Sequence, residues 1–358
     1  MSELKKMKLV LADGREIAGL SAGAPVCACG ELVFNTSMVG YQEVLSDPAY
    51  SGQIVVMTYP LIGQYGIMDE DFESKNPSVA GLVVRECSNT PSNFRYTQTL
   101  PEFLQEHDIP CLEGVDTRMI TRIVRDNGCM MAALVPAEMP AAEAVAMLQA
   151  AAPDKDAVAK VSCKKRWFSR TAQHTHDVVI VDCGLKHGVV KALNRRGCNV
   201  TVVPFNTSAD EILAFNPDGV LLSSGPGNPV DASAIVEVVN ALKGKLPVFG
   251  IGLGMNLIAL SYGASVEKMK AGHHGGHPVR SVDSPRIVTA EHNHNYTVVE
   301  ASLASTPLKV TYYDAADGTV EGVECAADKV YAVQFYPEGG PGPEETDFFD
   351  KFVKMLEE

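Results

Sequence analysis

From Val178 to Ile251, short apolar runs and helical stretches take turns, and this alternation limits the second half of the chain to one kind of architecture. The apolar runs are Val178 to Val181, Val200 to Val203, Gly219 to Leu222 and Val248 to Ile251. Between them, His187 to Arg196, Ala209 to Phe215 and Ala232 to Leu242 read as helices. Strands and helices alternating over short connections predict a parallel sheet wrapped by helices on both faces. In such sheets ligands bind at the carboxyl ends of the strands, so the loops after Leu222 and Ile251 are where function is to be sought.

The second of these loops is cramped. Val248-Phe249-Gly250-Ile251-Gly252-Leu253-Gly254-Met255-Asn256-Leu257 reads as a buried strand, a sharp turn and a helix. A strand reversing directly into a helix leaves little room for side chains around its apex, which is the shape of a nucleophile elbow. A dinucleotide loop is the competing reading, but the third glycine is wrongly spaced and no acidic residue follows about twenty positions later. No Walker A sequence is present, so nucleotide binding has no support, and no cofactor is expected in this chain.

The first ~150 residues mix β-like runs (Leu9 to Ala12, Glu31 to Asn35, Ile54 to Tyr59, Val79 to Arg85) with turn-forming residues, predicting an α+β or β-rich domain. Pro140 to about Ala152 is Ala-rich with Met and Leu at helical spacing, and Pro153 to Thr175 is polar without a clear period. The expected division is therefore a domain over 1–152, a linker over 153–175 and a second domain over 176–358. A net charge of -14, with no basic run longer than Lys164-Lys165-Arg166, argues against nucleic acid as a partner. No apolar stretch reaches the length of a membrane span and Met1 to Leu9 lacks an apolar signal core, so a soluble cytoplasmic protein is expected. The nine cysteines are scattered without a C-x-x-C pair and read as reduced thiols; the close pair Cys27 and Cys29 has no partners for a metal.

Many segments in order carry a family resemblance. In the first half they are Phe34-Asn35-Thr36-Ser37-Met38-Val39-Gly40-Tyr41-Gln42-Glu43, Asp47-Pro48-Ala49-Tyr50-Ser51, Thr58-Tyr59-Pro60-Leu61-Ile62-Gly63, Ser92-Asn93-Phe94-Arg95 and Asp116-Thr117-Arg118. In the second half they are Gly225-Pro226-Gly227-Asn228-Pro229, Gly272-His273-His274-Gly275-Gly276, Asn293-His294, and Pro337-Glu338 followed by Pro341-Gly342-Pro343. Together these resemble the small subunit of carbamoyl-phosphate synthase, a class I glutamine amidotransferase. The resemblance implies an α/β chain: an α+β small-subunit domain, then an amidotransferase domain with a flavodoxin-like parallel sheet flanked by helices.

In that family a cysteine thiolate attacks the glutamine amide, a histidine relays the proton, a glutamate orients the histidine and backbone N–H groups hold the oxyanion. By resemblance the nucleophile position is Gly252, which has no side chain. The histidine position, in Gln334-Phe335-Tyr336-Pro337-Glu338, is Tyr336, and a phenol with an unperturbed pKa of about 10 is a poor base near neutrality. Glu338 alone is retained. The family's His-Gln after the elbow is Met255-Asn256, its Ser-Asn-Gly-Pro is Ser223-Ser224-Gly225-Pro226, its Asn-His-Gly-Phe is Asn293-His294-Asn295-Tyr296, and its serine after Asp-Pro is Ala49. The oxyanion donors are backbone groups, carried by Leu253 and the Gly225 to Gly227 loop, and they survive these changes. Met255 and Tyr336 are expected to pack together and fill the vacated pocket.

The resemblance therefore implies a small subunit that does not hydrolyse glutamine and that pairs with a large synthetase subunit using free ammonia, in pyrimidine or arginine synthesis. Two alternatives stand beside it: a pseudo-glutaminase that binds a glutamine-like small molecule as a sensor, and an enzyme of another class built on Glu338, Tyr336 and the oxyanion donors. His273, His274, His277, His292 and His294 cluster in sequence, but the neighbouring glycines favour a packed loop over a metal site. Cys183 lies on another strand without an identified base and reads as a buried thiol.

Overall fold

The computed structural model describes residues 5–151, 154–340 and 342–357. Met1 to Leu4, Ala152, Pro153, Pro341 and Glu358 lie outside them, and with them the start of the N-terminal stretch, the junction of the expected helix and linker, and one residue of the Pro341-Gly342-Pro343 run. The chain forms two compact units, one of residues 1–154 with 270–274 and one of residues 155–269 with 275–358.

In the first unit seven strands close a barrel: β1 (Lys6–Leu11), β2 (Glu16–Ser21), β3 (Ala28–Asn35), β4 (Gln53–Met57), β6 (Gly81–Val83), β8 (Cys111–Glu113) and β9 (Met130–Pro136). Their order is β1-β2-β8-β6-β4-β3-β9, with β9 returning to β1, so no strand edge is left open. A small pair, β5 (Leu61–Ile62) with β7 (Glu86–Cys87), stands apart from it. Successive strand residues point to opposite faces, and the apolar ones accordingly divide between two cores. Leu32, Ile54, Val56 and Val83 pack with Ile120 and Val124 of α3 (Thr117–Asn127). Val33, Val55, Leu82 and Val84 pack with Tyr41 of α1 (Tyr41–Ser46) and with Phe103 and Leu104 of α2 (Leu100–Glu106). A fourth helix, α4 (Ala141–Ala150), lays Ala144 and Leu148 against Val10 and Val135.

The segments that carry the resemblance in this unit work as buried polar joints. Asn35 donates to the Tyr50 hydroxyl at 2.9 Å and accepts from the Ser37 N–H at 2.7 Å. Gln42 accepts from the Met68 N–H at 2.8 Å, and the Tyr41 hydroxyl donates to the Gly66 carbonyl at 2.6 Å. A buried polar side chain without such partners costs free energy, and these bonds offset that cost for Asn35, Gln42 and Tyr41.

Ten strands form one sheet in the order β10-β12-β11-β13-β14-β19-β18-β16-β15-β17, all in the second unit except residues 270–274 of β15, which group with the first. They are β10 (Trp167–Ser169), β11 (His176–Asp182), β12 (Cys198–Pro204), β13 (Gly219–Leu222), β14 (Val248–Ile251), β15 (Val266–Ser281), β16 (Ile287–Val298), β17 (Lys309–Asp314), β18 (Val320–Cys325) and β19 (Val330–Val333). From β12 through β11, β13 and β14 to β19 every pairing is parallel. Both faces of this part are covered. Val179, Val181, Val220 and Leu222 pack on one side with Ile235 and Val239 of α8 (Ser233–Leu242) and Leu257 and Ile258 of α9 (Leu253–Ser261). Val178, Ile180, Leu221 and Phe249 pack on the other with Val189 and Leu193 of α6 (His187–Arg195) and Phe348, Phe349 and Phe352 of α11 (Phe348–Glu357). Burial on both faces is why these strands read as continuous apolar runs rather than alternating ones.

Three short helices complete the set: α5 (Ala157–Val161), α7 (Ala209–Leu213) and α10 (Glu300–Leu303). Two features differ from the sequence reading. The stretch expected as a linker, 153–175, carries α5 and β10 where it is described, and both are too short to show a period. The parallel sheet also continues into an antiparallel extension, β18, β16, β15 and β17, whose His- and Gly-rich sequence lacks the usual strand composition.

Candidate active site

The turn after β14 has the backbone of a nucleophile elbow. Its apex, Gly252, sits at φ 57° and ψ −113°, a conformation that residues with a side chain rarely adopt. The Gly252 N–H donates to the Val333 carbonyl at 2.9 Å, and its own carbonyl accepts from Met255 and Asn256 as α9 begins. The flanking glycines are set by contact. A Cβ on Gly254 would lie 2.3 Å from the Leu222 carbonyl oxygen, and one on Gly250 would lie 2.7 Å from the Gly254 carbonyl carbon. Helix and sheet thus meet at backbone distance. At Gly252 itself there is more room: an added Cβ would find Ser224 Cβ at 3.3 Å and the Gln334 carbonyl oxygen at 3.7 Å.

The loops after β11 and β13 are bound to each other beside this turn. Asp182 accepts from the N–H groups of Gly184 and Leu185 at 3.0 and 2.8 Å, which bends the chain toward α6. The Cys183 N–H donates to Ser223 Oγ at 2.9 Å, and Ser224 Oγ donates to the Gly184 carbonyl at 3.3 Å. Gly225 packs so close that a Cβ there would lie 2.1 Å from the Cys183 carbonyl oxygen, and Gly227 turns with φ 91°. Leu253 opens α9, and its N–H is among the first four that a helix cannot bond internally. Burial pushes the Cys183 thiol well above its ordinary value, so the thiolate that a nucleophile requires is not formed there.

That bend delivers Lys186, which the sequence reading did not single out. Its side chain is 3% exposed and its Nζ lies 3.1 Å from Glu338 Oε1, whose side chain is 2% exposed. The same Nζ lies 4.1 Å from the centre of the Tyr336 ring. Glu338 is therefore held by an ammonium group, and the phenol beneath it is buried. Lys186 follows the carboxyl end of β11, so the rule that pointed to the loops after Leu222 and Ile251 also points to it.

Of the remaining expected residues, Asn256 is buried on α9 and its Oδ1 has no hydrogen-bond partner among the described residues. The Gln334 side-chain amide is likewise buried, with neither Nε2 nor Oε1 partnered among them. Asn293 and Asn295 are buried on β16 and Tyr296 is half-buried there. Ala49 belongs to the first unit, in the turn Pro48–Tyr50, where its N–H donates to Asp47 Oδ1 at 2.9 Å. Met255 and Tyr336 do not fill one pocket together. Met255 lies in the core beneath α8 and α9, Tyr336 in the core with Phe335 and α11, because Met255 points from the helix into the sheet.

His277, His292 and His294 belong to the second unit, and His273 and His274 group with the first. No described helix is long and apolar enough to cross a membrane.

Comparison with known proteins places both halves. Residues 9–134 match the family model of the carbamoyl-phosphate synthase small chain, CPSase domain, and residues 179–356 match that of class-I glutamine amidotransferases. The carbamoyl phosphate synthase small chain of Staphylococcus saprophyticus subsp. saprophyticus is 46% identical over 99% of this chain and 97% of its own length. The pyrimidine-specific small chain of Halalkalibacterium halodurans is 46% identical over 98% and 97%. The small chain of Bacillus caldolyticus is 44% identical over 99% and 97%. With a match in each half and such relatives along nearly its whole length, the chain belongs to the carbamoyl-phosphate synthase small-chain family.

Proposed function

We propose that this chain acts as a carbamoyl-phosphate synthase small subunit that does not itself hydrolyse glutamine, and that a large synthetase subunit paired with it draws on free ammonia. The observation that carries the reading is the elbow apex: Gly252 offers no atom that glutamine could acylate. The proton relay is missing in the same way. Tyr336 is buried beneath Lys186, and Glu338, which would orient a histidine, is engaged by the Lys186 ammonium. Loss of a complete triad in a well-studied hydrolase costs about 10^6 in turnover, which leaves glutaminase activity near background. The proposal carries with it a cytoplasmic setting, a place in pyrimidine or arginine synthesis, and domains at 1–152 and 176–358.

The test is to combine the purified chain with a cognate large subunit and follow carbamoyl phosphate formation from glutamine and from ammonium salts. Synthesis from ammonium but not from glutamine is expected. Glutamine-driven synthesis at an undiminished rate overturns the reading.

A second reading has its own support. Asn256 Oδ1 and the Gln334 amide are buried without partners among the described residues, and a small ligand with an amide group, which both donates and accepts, would supply them. On this reading the chain binds a glutamine-like molecule without turnover, as a sensor. Calorimetric titration with glutamine tests it: saturable heat that Asn256→Ala abolishes supports sensing, and absence of heat leaves the scaffold role alone. An enzyme of another class draws no support, since Glu338 is tied to Lys186.

A further inference from the structure

The antiparallel extension of the second unit brings together metal-ligating groups that the elbow does not use. His292 and His294 stand two residues apart on β16, so their side chains leave the same face of the strand. Glu321 comes from β18, the neighbouring strand in the sheet, 29 residues from His292. The three side chains are 0%, 5% and 0% exposed. His292 Nε2 lies 3.2 Å from Glu321 Oε2, His294 Nε2 lies 3.6 Å from Glu321 Oε1, and one donor atom from each residue falls within 4.8 Å of the others.

The hydrogen bonds on the far side of each ring fix which nitrogen faces inward. His292 Nδ1 lies 3.0 Å from the Ala290 carbonyl and His294 Nδ1 lies 3.0 Å from the Tyr296 carbonyl. A carbonyl only accepts, so both Nδ1 atoms carry hydrogen, and in a neutral ring Nε2 is then a lone pair. A lone pair on either Nε2 facing the carboxylate is accommodated when a proton or a metal cation lies between them. A carbonyl behind each imidazole is also the usual outer support of a metal-bound histidine.

We propose that His292, His294 and Glu321 form a binding site for a first-row divalent cation of the zinc type, which ties β16 to β18. Zinc binds imidazole nitrogen and carboxylate oxygen at about 2.0–2.2 Å, which in a tetrahedron sets neighbouring ligand atoms about 3.3–3.5 Å apart. The observed 3.2 and 3.6 Å separations, one to each oxygen of Glu321, lie close to that span, and one donor atom from each residue lies within 4.8 Å of the others. Two neutral imidazoles and one carboxylate suit zinc or iron(II) far better than calcium or magnesium, which prefer oxygen. His277, with a side chain 25% exposed and paired with Asp314 at 3.3 Å, has its ring centre 5.3 Å from that of His292. The sequence reading takes these histidines as a packed loop; the distant Glu321 supplies the donor that the stretch itself lacks.

The test uses the full chain, stripped with a chelator, exposed to one equivalent of zinc chloride and desalted. Retention of about one equivalent is expected, with cobalt(II) in its place giving visible d–d bands. His292→Gln/His294→Gln should weaken binding at least about 100-fold, and His107→Gln/His174→Gln, at exposed positions, should leave it unchanged. Loss of retention in the second variant but not the first places the ion elsewhere and overturns the proposal, as does release of the ion by wild-type protein on desalting. Should the first variant misfold, X-ray absorption on the wild-type zinc complex decides: two imidazoles and a carboxylate support the site, sulfur ligands refute it.

Discussion

The elbow around Gly252 and the cluster of His292, His294 and Glu321 lie in the same unit and are opposites. The elbow has the backbone of a catalytic turn without a reactive side chain at its apex. The cluster has side chains poised for chemistry on plain strands with no unusual backbone. The difference separates two kinds of constraint. Geometry at the elbow is imposed by helix α9 pressing on β13 and β14 at Gly250 and Gly254, and it persists whatever occupies the apex. The cluster depends instead on three side chains, His292, His294 and Glu321.

The largest effect that would sharpen this contrast comes from the buried pair beside the elbow. Lys186→Met leaves the Glu338 carboxylate buried without its counter-charge and should cost about 3–5 kcal/mol, whereas Lys186→Met/Glu338→Gln, which removes both charges, should recover most of it. Thermal unfolding of the two variants checks this; equal losses would show that the ion pair is not the reason both groups are buried.

Next come the glycines. Gly254→Ala forces a Cβ against the Leu222 carbonyl and should destabilise by about 3 kcal/mol. Gly252→Ala meets nothing closer than 3.3 Å and costs only the strain of its backbone angles, about 1–2 kcal/mol. If calorimetry finds the order reversed, packing is not what holds the turn. The smallest expected change concerns activity. Gly252→Cys/Tyr336→His supplies the two reactive groups that the proposed reading takes as lost, yet ammonia release from glutamine should stay at the parent's background, because on that reading Asn256 and Ala49 depart from the family pattern as well. Steady glutamine hydrolysis by that variant would show that the elbow alone suffices.

Much of the second unit was legible because strands buried on both faces announce themselves as apolar runs, and because the glycine spacing of the elbow has few structural explanations. The antiparallel extension was not legible: β15 and β16 carry His, Gly, Asn and Lys where a strand usually shows branched apolar residues. Lys186 escaped notice because a lysine after a strand ordinarily reads as solvated, and only the Asp182 turn shows why it points inward. Glu321 and His292 meet through strand pairing, which no local pattern in the sequence reveals. The split of Met255 and Tyr336 between two cores depends likewise on which side of the sheet each faces.

The crowding at Gly250 and Gly254 reaches beyond this chain. Neither can gain a methyl group without displacing main chain, so both are required for folding, while a side chain at the apex between them meets no main chain closer than 3.6 Å and costs only the strain of its backbone angles. Two glycines spaced around such a turn therefore testify to how a helix is seated, and a gene that displays them says nothing by that alone about whether its product still turns over a substrate.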